Sequence, residues 1–245
     1  MNAKAGPVAL VTGGGLRVGR AIALSLASSG YDLLIGYNKS PAESSEVAAL
    51  ARRAGRRAHA VQADLSRGRD VKRLARAAAD RFGRLDLLVN SASTFAPGDL
   101  LEVTAEEWDA VMAVNLRAPF LLVRETAPLL RAARGAVVNI VDLSALHPWT
   151  THPHHSVAKA ALLHLTRVMA RRLAPKVRVN AVAPGYVLPP AHHGPDEIER
   201  NRRRIPMGRV GTPEDVASAV RFLARARYVT GEVVVVDGGL GSLRG

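Results

Sequence analysis

Cysteine is absent from the 245 residues, so disulfides, thiolate nucleophiles and Cys-ligated zinc or iron–sulfur sites are excluded, and redox chemistry would need a borrowed cofactor. Aromatic residues amount to 4%, too few for the stacking platforms that hold single-stranded nucleic acid. No apolar run, including the one around Leu121 and Val123, approaches the roughly 20 residues of a membrane span. The first seven residues lack the apolar core of a signal peptide, which makes a soluble cytoplasmic protein the expectation. Acidic residues are also scarce, with 21 Asp+Glu against 34 Lys+Arg and a net charge of +13. A basic chain invites a nucleic-acid reading. The arginines, however, are scattered as pairs such as Arg52-Arg53 and Arg171-Arg172, with one denser patch at residues 200–204. No dedicated nucleic-acid binding is expected.

What the chain does have is a composition that folds, 48% hydrophobic and 22% charged. Short β-branched runs alternate with longer Ala/Leu/Arg stretches of helical period. Strands are predicted over 8–12, 32–37, 58–62, 85–90, 136–141, 177–183 and 233–237. Helices are predicted over 18–29, 41–54, 70–82, 106–113, 116–132, 156–173 and 213–223. Strands separated by helices pair in parallel, because each crossover needs a dozen or more residues. The expected fold is a single-domain Rossmann-type doubly wound sheet of about seven strands over residues 1–245, with helices on both faces. The irregular stretch at 186–205 is where a substrate lid would sit.

Between the first strand and helix runs Thr12-Gly13-Gly14-Gly15-Leu16-Arg17-Val18-Gly19. A glycine turn at the carboxyl end of a strand lets backbone N–H groups and a helix N-terminus approach a pyrophosphate. Gly13, Arg17, Val18 and Gly19 are therefore cofactor candidates. The second strand ends Gly36-Tyr37-Asn38-Lys39-Ser40 with no carboxylate to accept from a free ribose 2′-OH. With Arg17, the trio Asn38, Lys39 and Ser40 points to NADP(H), against the plain alternative of a solvated loop lysine. Asp64 and Leu65 follow the third strand, where they would meet an adenine, although Asp64 equally suits the start of a helix.

Taken in order, the motifs resemble the short-chain dehydrogenase/reductase family over essentially the whole chain. The turn, as Thr12-Gly13-x3-Arg17-x-Gly19, is similar to that of the pteridine reductase branch. Asn90-Ser91-Ala92-Ser93 stands where the family carries Asn-Asn-Ala-Gly, and Val114-Asn115-Leu116, Pro184-Gly185-Tyr186-Val187, Tyr228-Val229-Thr230-Gly231 and Val236-Asp237-Gly238-Gly239 follow in register. The resemblance implies that Asn90, Ser91, Ala92, Pro184, Gly185 and Val187 line the cofactor. It implies too that Phe95 stacks on a pterin, that Ser93 and Tyr186 face the substrate, and that the protein is a homo-oligomer, commonly a tetramer. Lys159 would bind the nicotinamide ribose and lower the pKa of the proton donor, and Asn115 would position a water in the relay.

Two positions depart from the family pattern. The strand-five serine is Asp142, as in pteridine reductases, and thirteen residues later the tyrosine of Tyr-x3-Lys is His155, four before Lys159. Asp142 would orient or protonate the substrate. Imidazole can donate a proton near neutrality, but it stops roughly two bond lengths short of a phenol oxygen, so a bridging water is one route. His147, His152 and His154 nearby raise a metal alternative, yet no carboxylate or cysteine in that segment completes a ligand set, and no metal is expected. Two readings stay open: an NADPH-dependent reductase of a pterin-like or carbonyl small molecule, and a degenerate member that binds a nucleotide or partner for a regulatory or structural role.

Overall fold

The computed structural model describes residues 6–189 and 193–243. Seven strands form one sheet: β1 (Val8–Thr12), β2 (Asp32–Tyr37), β3 (Ala58–Gln62), β4 (Leu87–Asn90), β5 (Ala136–Ile140), β6 (Arg178–Pro184) and β7 (Val233–Val236). Their order is β3-β2-β1-β4-β5-β6-β7 and every pairing is parallel. The chain moves outward from β1 to β3 and then returns to the other side of β1 as β4. That reversal opens a crevice at the carboxyl ends of β1 and β4, the usual ligand position in such sheets. Thr12 lies there in register with Gly36 on one side and Asn90 on the other.

The helices are α1 (Arg17–Ser28), α2 (Pro41–Arg53), α3 (Gly68–Phe82), α4 (Ala105–Met112), α5 (Ala118–Ala133), α6 (Pro153–Leu173), α7 (Pro195–Arg203) and α8 (Pro213–Arg225). Alternate residues of β1 enter two different cores. Ala9 and Val11 pack with Ile22 and Leu26 of α1, Val47 of α2 and Val220 of α8. Val8 and Leu10 pack with Leu74 of α3, Leu122 of α5 and Met169 of α6. A sheet covered on both faces needs strands that are apolar throughout, which is why the strands read as unbroken hydrophobic runs. Each fully buried leucine, such as Leu10 or Leu88, contributes about 2 kcal/mol.

Three local features set the site. The two helices expected over 106–132 are continuous, joined by a wide π turn, Ala113–Arg117, that carries Asn115. A chain of buried polar side chains ties the central strands to α6: Asn90 Nδ2 donates to Asn139 Oδ1, and Asn139 Nδ2 donates to Thr166 Oγ1, each at 2.8 Å. Helix α6 begins at Pro153 rather than at Ser156, because proline at the first helical position has its φ preset and lacks only an N–H that would be unpaired anyway. His155 is therefore in the first turn of the helix.

The stretch at 186–205, expected to be irregular, contains α7. Pro195 starts it, Asp196 and Glu197 lie in its first turn, and Arg200, Arg202 and Arg203 lie in its last. That charge order complements the helix dipole. The helix buries none of its side chains, so the apolar period that would have revealed it is missing. Residues 190–192 of the expected lid lie outside the described residues. Among the described residues, no helix is long and apolar enough to cross a membrane.

Candidate active site

A cleft of about 1260 Å³ opens over the carboxyl ends of β1, β4, β5 and β6. Its wall contains Gly13, Arg17, Val18, Gly19, Asn38, Lys39, Ser40, Leu65, Ser91, Ala92, Lys159, Pro184, Gly185 and Val187 of the expected cofactor residues. The expected substrate residues Ser93, Phe95 and Tyr186, with Asp142 and His155, line the same space. Three expected residues stand behind the wall or to its side. Asp64 Oδ1 is taken by Ser66 N and Oγ at 3.0 and 2.7 Å, and its Oδ2 lies 3.2 Å from Arg67 Nε, so its carboxylate organises the turn before α3. Asn90 points into the buried chain of polar side chains. Asn115 is 1% exposed and acts on the loop in front of it.

The glycine turn fits a bound dinucleotide on steric grounds. A Cβ on Gly13 would lie 3.1 Å from Ala92 Cα at φ +65°, and one on Gly19 would lie 2.1 Å from the Gly13 carbonyl oxygen. Only bare backbone lets the turn close this tightly, and the Gly13 N–H donates to the Gly36 carbonyl oxygen at 2.8 Å, which pins the turn to the end of β2. Leu16 precedes α1 without a side-chain cap, and no acid occupies the first turn, so the helix start is left electropositive. Arg17 sits there with φ +50°, a left-handed conformation that costs a non-glycine residue about 1 kcal/mol. Its guanidinium reaches the Leu188 carbonyl oxygen at 3.4 Å, in the stretch between β6 and α7. The loop after β2 brings Lys39, and the first turn of α2 brings Glu43, the carboxylate of the wall near it.

At the other end of the cleft, His155 Nε2 lies 2.7 Å from Asp142 Oδ2. An ionised carboxylate only accepts, so Nε2 carries the hydrogen. Nδ1 lies 3.2 Å from the Thr94 carbonyl oxygen and 3.3 Å from Asn115 Nδ2. A protonated ring donates from Nδ1 to Thr94, and a neutral ring accepts there from Asn115, so both protonation states have partners. Asn115 also holds the loop itself: Oδ1 accepts from Thr94 N at 2.8 Å, and Nδ2 donates to Thr94 O at 2.9 Å.

Burial works to raise the Asp142 carboxyl, but the hydrogen bond from His155, the charges of Lys159 and His155 and the Ser144 hydroxyl together hold it below the usual carboxylate range. Lys159 is 4% exposed, and its Nζ donates to the Ile140 carbonyl oxygen at 2.9 Å. Burial lowers its pKa, while the Asp142 charge opposes the shift.

Phe95 is 55% exposed, which rules out a core role. Its ring stacks on His152 at 4.1 Å and 18° and meets His155 edge-on at 4.8 Å. Trp149 lies parallel to His155 at 6.3 Å. Trp149 and Thr94 are site residues that the sequence reading did not assign, and His152 is one it weighed only for a metal; the signal was there in a tryptophan and three histidines within residues 149–155 of an aromatic-poor chain. Among the described residues, no group of three or more His, Cys, Asp or Glu is arranged to hold a metal ion.

A family model described as enoyl-(acyl carrier protein) reductase matches residues 16–241. A 3-oxoacyl-[acyl-carrier-protein] reductase of Synechocystis is 36% identical, over 98% of this chain and 99% of its own. The crystal structure of a putative short-chain alcohol dehydrogenase from Sinorhizobium meliloti superposes with a TM-score of 0.91 at 31% identity, covering 98% of both chains. An acetoin dehydrogenase structure from Enterobacter cloacae gives 0.88 at 31% identity, covering 96% of this chain and 95% of that one. Sequence, sheet order and cleft agree, and the chain belongs to the short-chain dehydrogenase/reductase family of oxidoreductases.

Proposed function

We propose that this protein is an NADPH-dependent reductase of a flat, ring-shaped substrate of the pterin kind or of a small carbonyl compound. The observation that carries the reading is the 2.7 Å contact between His155 and Asp142 inside the same cleft as the glycine turn. When bound, the nicotinamide supplies a hydride to an electrophilic carbon. The chain's own residues then supply the proton and the orientation. His155 holds a proton behind Asp142, and Asp142, with 19% of its side chain exposed, is the member of the pair that meets the substrate. Asn115 fixes the Thr94 carbonyl against which His155 rests. Lys159 sits where it would hold the nicotinamide ribose, and Arg17, Lys39 and Ser40 would hold the 2′-phosphate.

A flat ring is favoured by Phe95, Trp149 and His152, which give the cleft aromatic faces and edges. The carbonyl alternative is supported by relatives named as 3-oxoacyl-[acyl-carrier-protein] reductase and acetoin dehydrogenase. A second reading, a nucleotide-binding member without turnover, is favoured by one observation: both ring nitrogens of His155 are directed at protein groups. We also propose a homo-oligomer, a tetramer, a reading supported by exposed Phe120 on α5 and Val157 and Val168 on α6; light scattering tests it. NADPH oxidation by the purified protein against dihydropterins, dihydrofolate, diketones and 3-oxoacyl thioesters decides between reductase and binder. Turnover of at least one compound is expected, and none across the panel leaves the binder.

A further inference from the structure

The cleft wall opposite in sequence to Asp142 carries a second chain of proton-handling groups, on the lid. Tyr186 lies two residues beyond the end of β6, and its hydroxyl lies 2.8 Å from His193 Nδ1. His193 Nε2 in turn lies 3.1 Å from Glu197 Oε1 in the first turn of α7. The Tyr186 and His193 rings are nearly parallel, with centroids 5.9 Å apart at 23°. All three residues, and Asn201 one helical turn beyond Glu197, line the cleft that holds Asp142 and His155.

The roles follow from the chemistry of the groups. The Glu197 carboxylate accepts only, so His193 Nε2 carries a hydrogen. In the neutral ring, Nδ1 then accepts from the Tyr186 hydroxyl. In the protonated ring, Nδ1 donates to the phenol oxygen and leaves the O–H free to point at a ligand. A Tyr–His–carboxylate chain whose phenol faces a cleft is an arrangement for moving one proton. The chain has only four tyrosines, and position 155, where the family resemblance would place one, is histidine.

Resting on the reductase reading above, we propose that Tyr186 is a second proton donor of the cleft, with His193 and Glu197 as its positioning residues. The phenol O–H bond breaks and its proton joins the oxygen or nitrogen of a C=O or C=N group, as the neighbouring carbon takes a hydride from the reduced nicotinamide, which is oxidised. The phenolate regains a proton from His193 Nδ1, and the imidazole is reprotonated from water; the Glu197 side chain is 40% exposed. Asp142 and Tyr186 are thus separate acids carried by separate elements. The phenol is already suited to remain protonated between turnovers, since burial raises its pKa, the Asn201 hydrogen bond opposes the shift and the Glu197 charge adds to it.

The test uses the full-length protein with NADPH and whichever panel compound it reduces. Tyr186→Phe should lower kcat about a hundredfold while KM changes less than about threefold and NADPH affinity and Tm hold. His193→Ala should lose about tenfold in kcat and regain it when free imidazole is added. Unchanged kcat in Tyr186→Phe, or a rise in KM alone, overturns the proposal, as does a loss that imidazole fails to rescue in a folded His193→Ala. A protein that turns over nothing refutes the reductase reading by itself. The relay is then judged from the phenolate absorbance assigned by difference with Tyr186→Phe: a midpoint displaced in His193→Ala supports it, and an unmoved midpoint ends it.

Discussion

His155 and Asp142 are joined side by side in the cleft wall, with the carboxylate the more exposed of the two, 19% against 2%. Nε2 is directed at Asp142 Oδ2 at 2.7 Å, and Nδ1 faces the Thr94 carbonyl and the Asn115 amide. The family resemblance implies a tyrosine at position 155, and on the proposed reading the histidine there does more than shorten a donor. On that reading, the ring behind the carboxylate and the carboxylate itself pass the proton as a pair.

The pair makes a prediction in pH. Reductive kcat/KM should fall as pH rises, because on the proposed reading the protonated pair is the donor. Asp142→Asn should abolish that slope together with most of the rate, and His155→Ala should keep the carboxylate but lose the slope. Full activity at every pH in His155→Ala refutes its role. Stability gives an independent reading. The folded pKa of Asp142 is depressed, so its contribution to stability is complete above its unfolded value and is lost as pH falls through the folded one. Acid unfolding of Asp142→Asn should lack that component.

Phe95 should act on substrate and not on folding. Phe95→Ala is expected to raise KM about threefold to tenfold, the worth of one stacking contact, with Tm within about 2 °C of the parent. Steady-state kinetics and a melting curve check both. A variant that unfolds or aggregates would contradict the 55% exposure of the ring.

Cofactor choice should turn on the residues after β2. NADPH is expected to bind at least about tenfold more tightly than NADH, and Lys39→Ala should narrow that ratio by about 1 kcal/mol. Glu43→Gln should strengthen NADPH binding about twofold to threefold, because the carboxylate lies in the same wall. Fluorescence titration with both nucleotides measures all of these, and equal affinity for the two sinks the assignment.

Lys159 is expected to cost stability. Its charge is buried and its pKa is lowered, so Lys159→Met should raise Tm by about 2–4 °C, equivalent to about 1 kcal/mol, while turnover is lost. The sign in pH follows. Below the depressed folded pKa, the folded state carries the full burial penalty; between that value and the unfolded one, the penalty is relieved as pH rises. The methionine variant should not share this gain. An unchanged or lower Tm would refute the idea.

The fold was legible because its constraints are written residue by residue. Strands covered on both faces must be apolar throughout, and a turn in which a Gly19 Cβ would meet the Gly13 carbonyl at 2.1 Å must be glycine. Such demands leave a trace in sequence. Helix α7 left none, because it buries no side chain. Asp64 shows the opposite limit: a carboxylate after a strand reads the same whether it faces a ligand or, as here, Ser66 and Arg67 in its own turn. The wall formed by Trp149 and His152 escaped because nothing in a loop's spacing says which rings will meet. The Tyr186, His193 and Glu197 contact escaped for the same reason, being made across eleven residues of lid.

An element without buried side chains has little free energy of its own to resist opening. Helix α7 is held at its edges, by the Tyr186 to His193 contact, by Arg202 donating to the Gly208 carbonyl at 2.7 Å and by the buried Ile205 just beyond it. Its amides should therefore exchange with solvent well before those of α5 or α6, and a bound ligand should slow them. On the proposed reading of this segment as a lid, substitutions on the outer surface of α7, such as Arg200→Ala, should change how long a ligand stays.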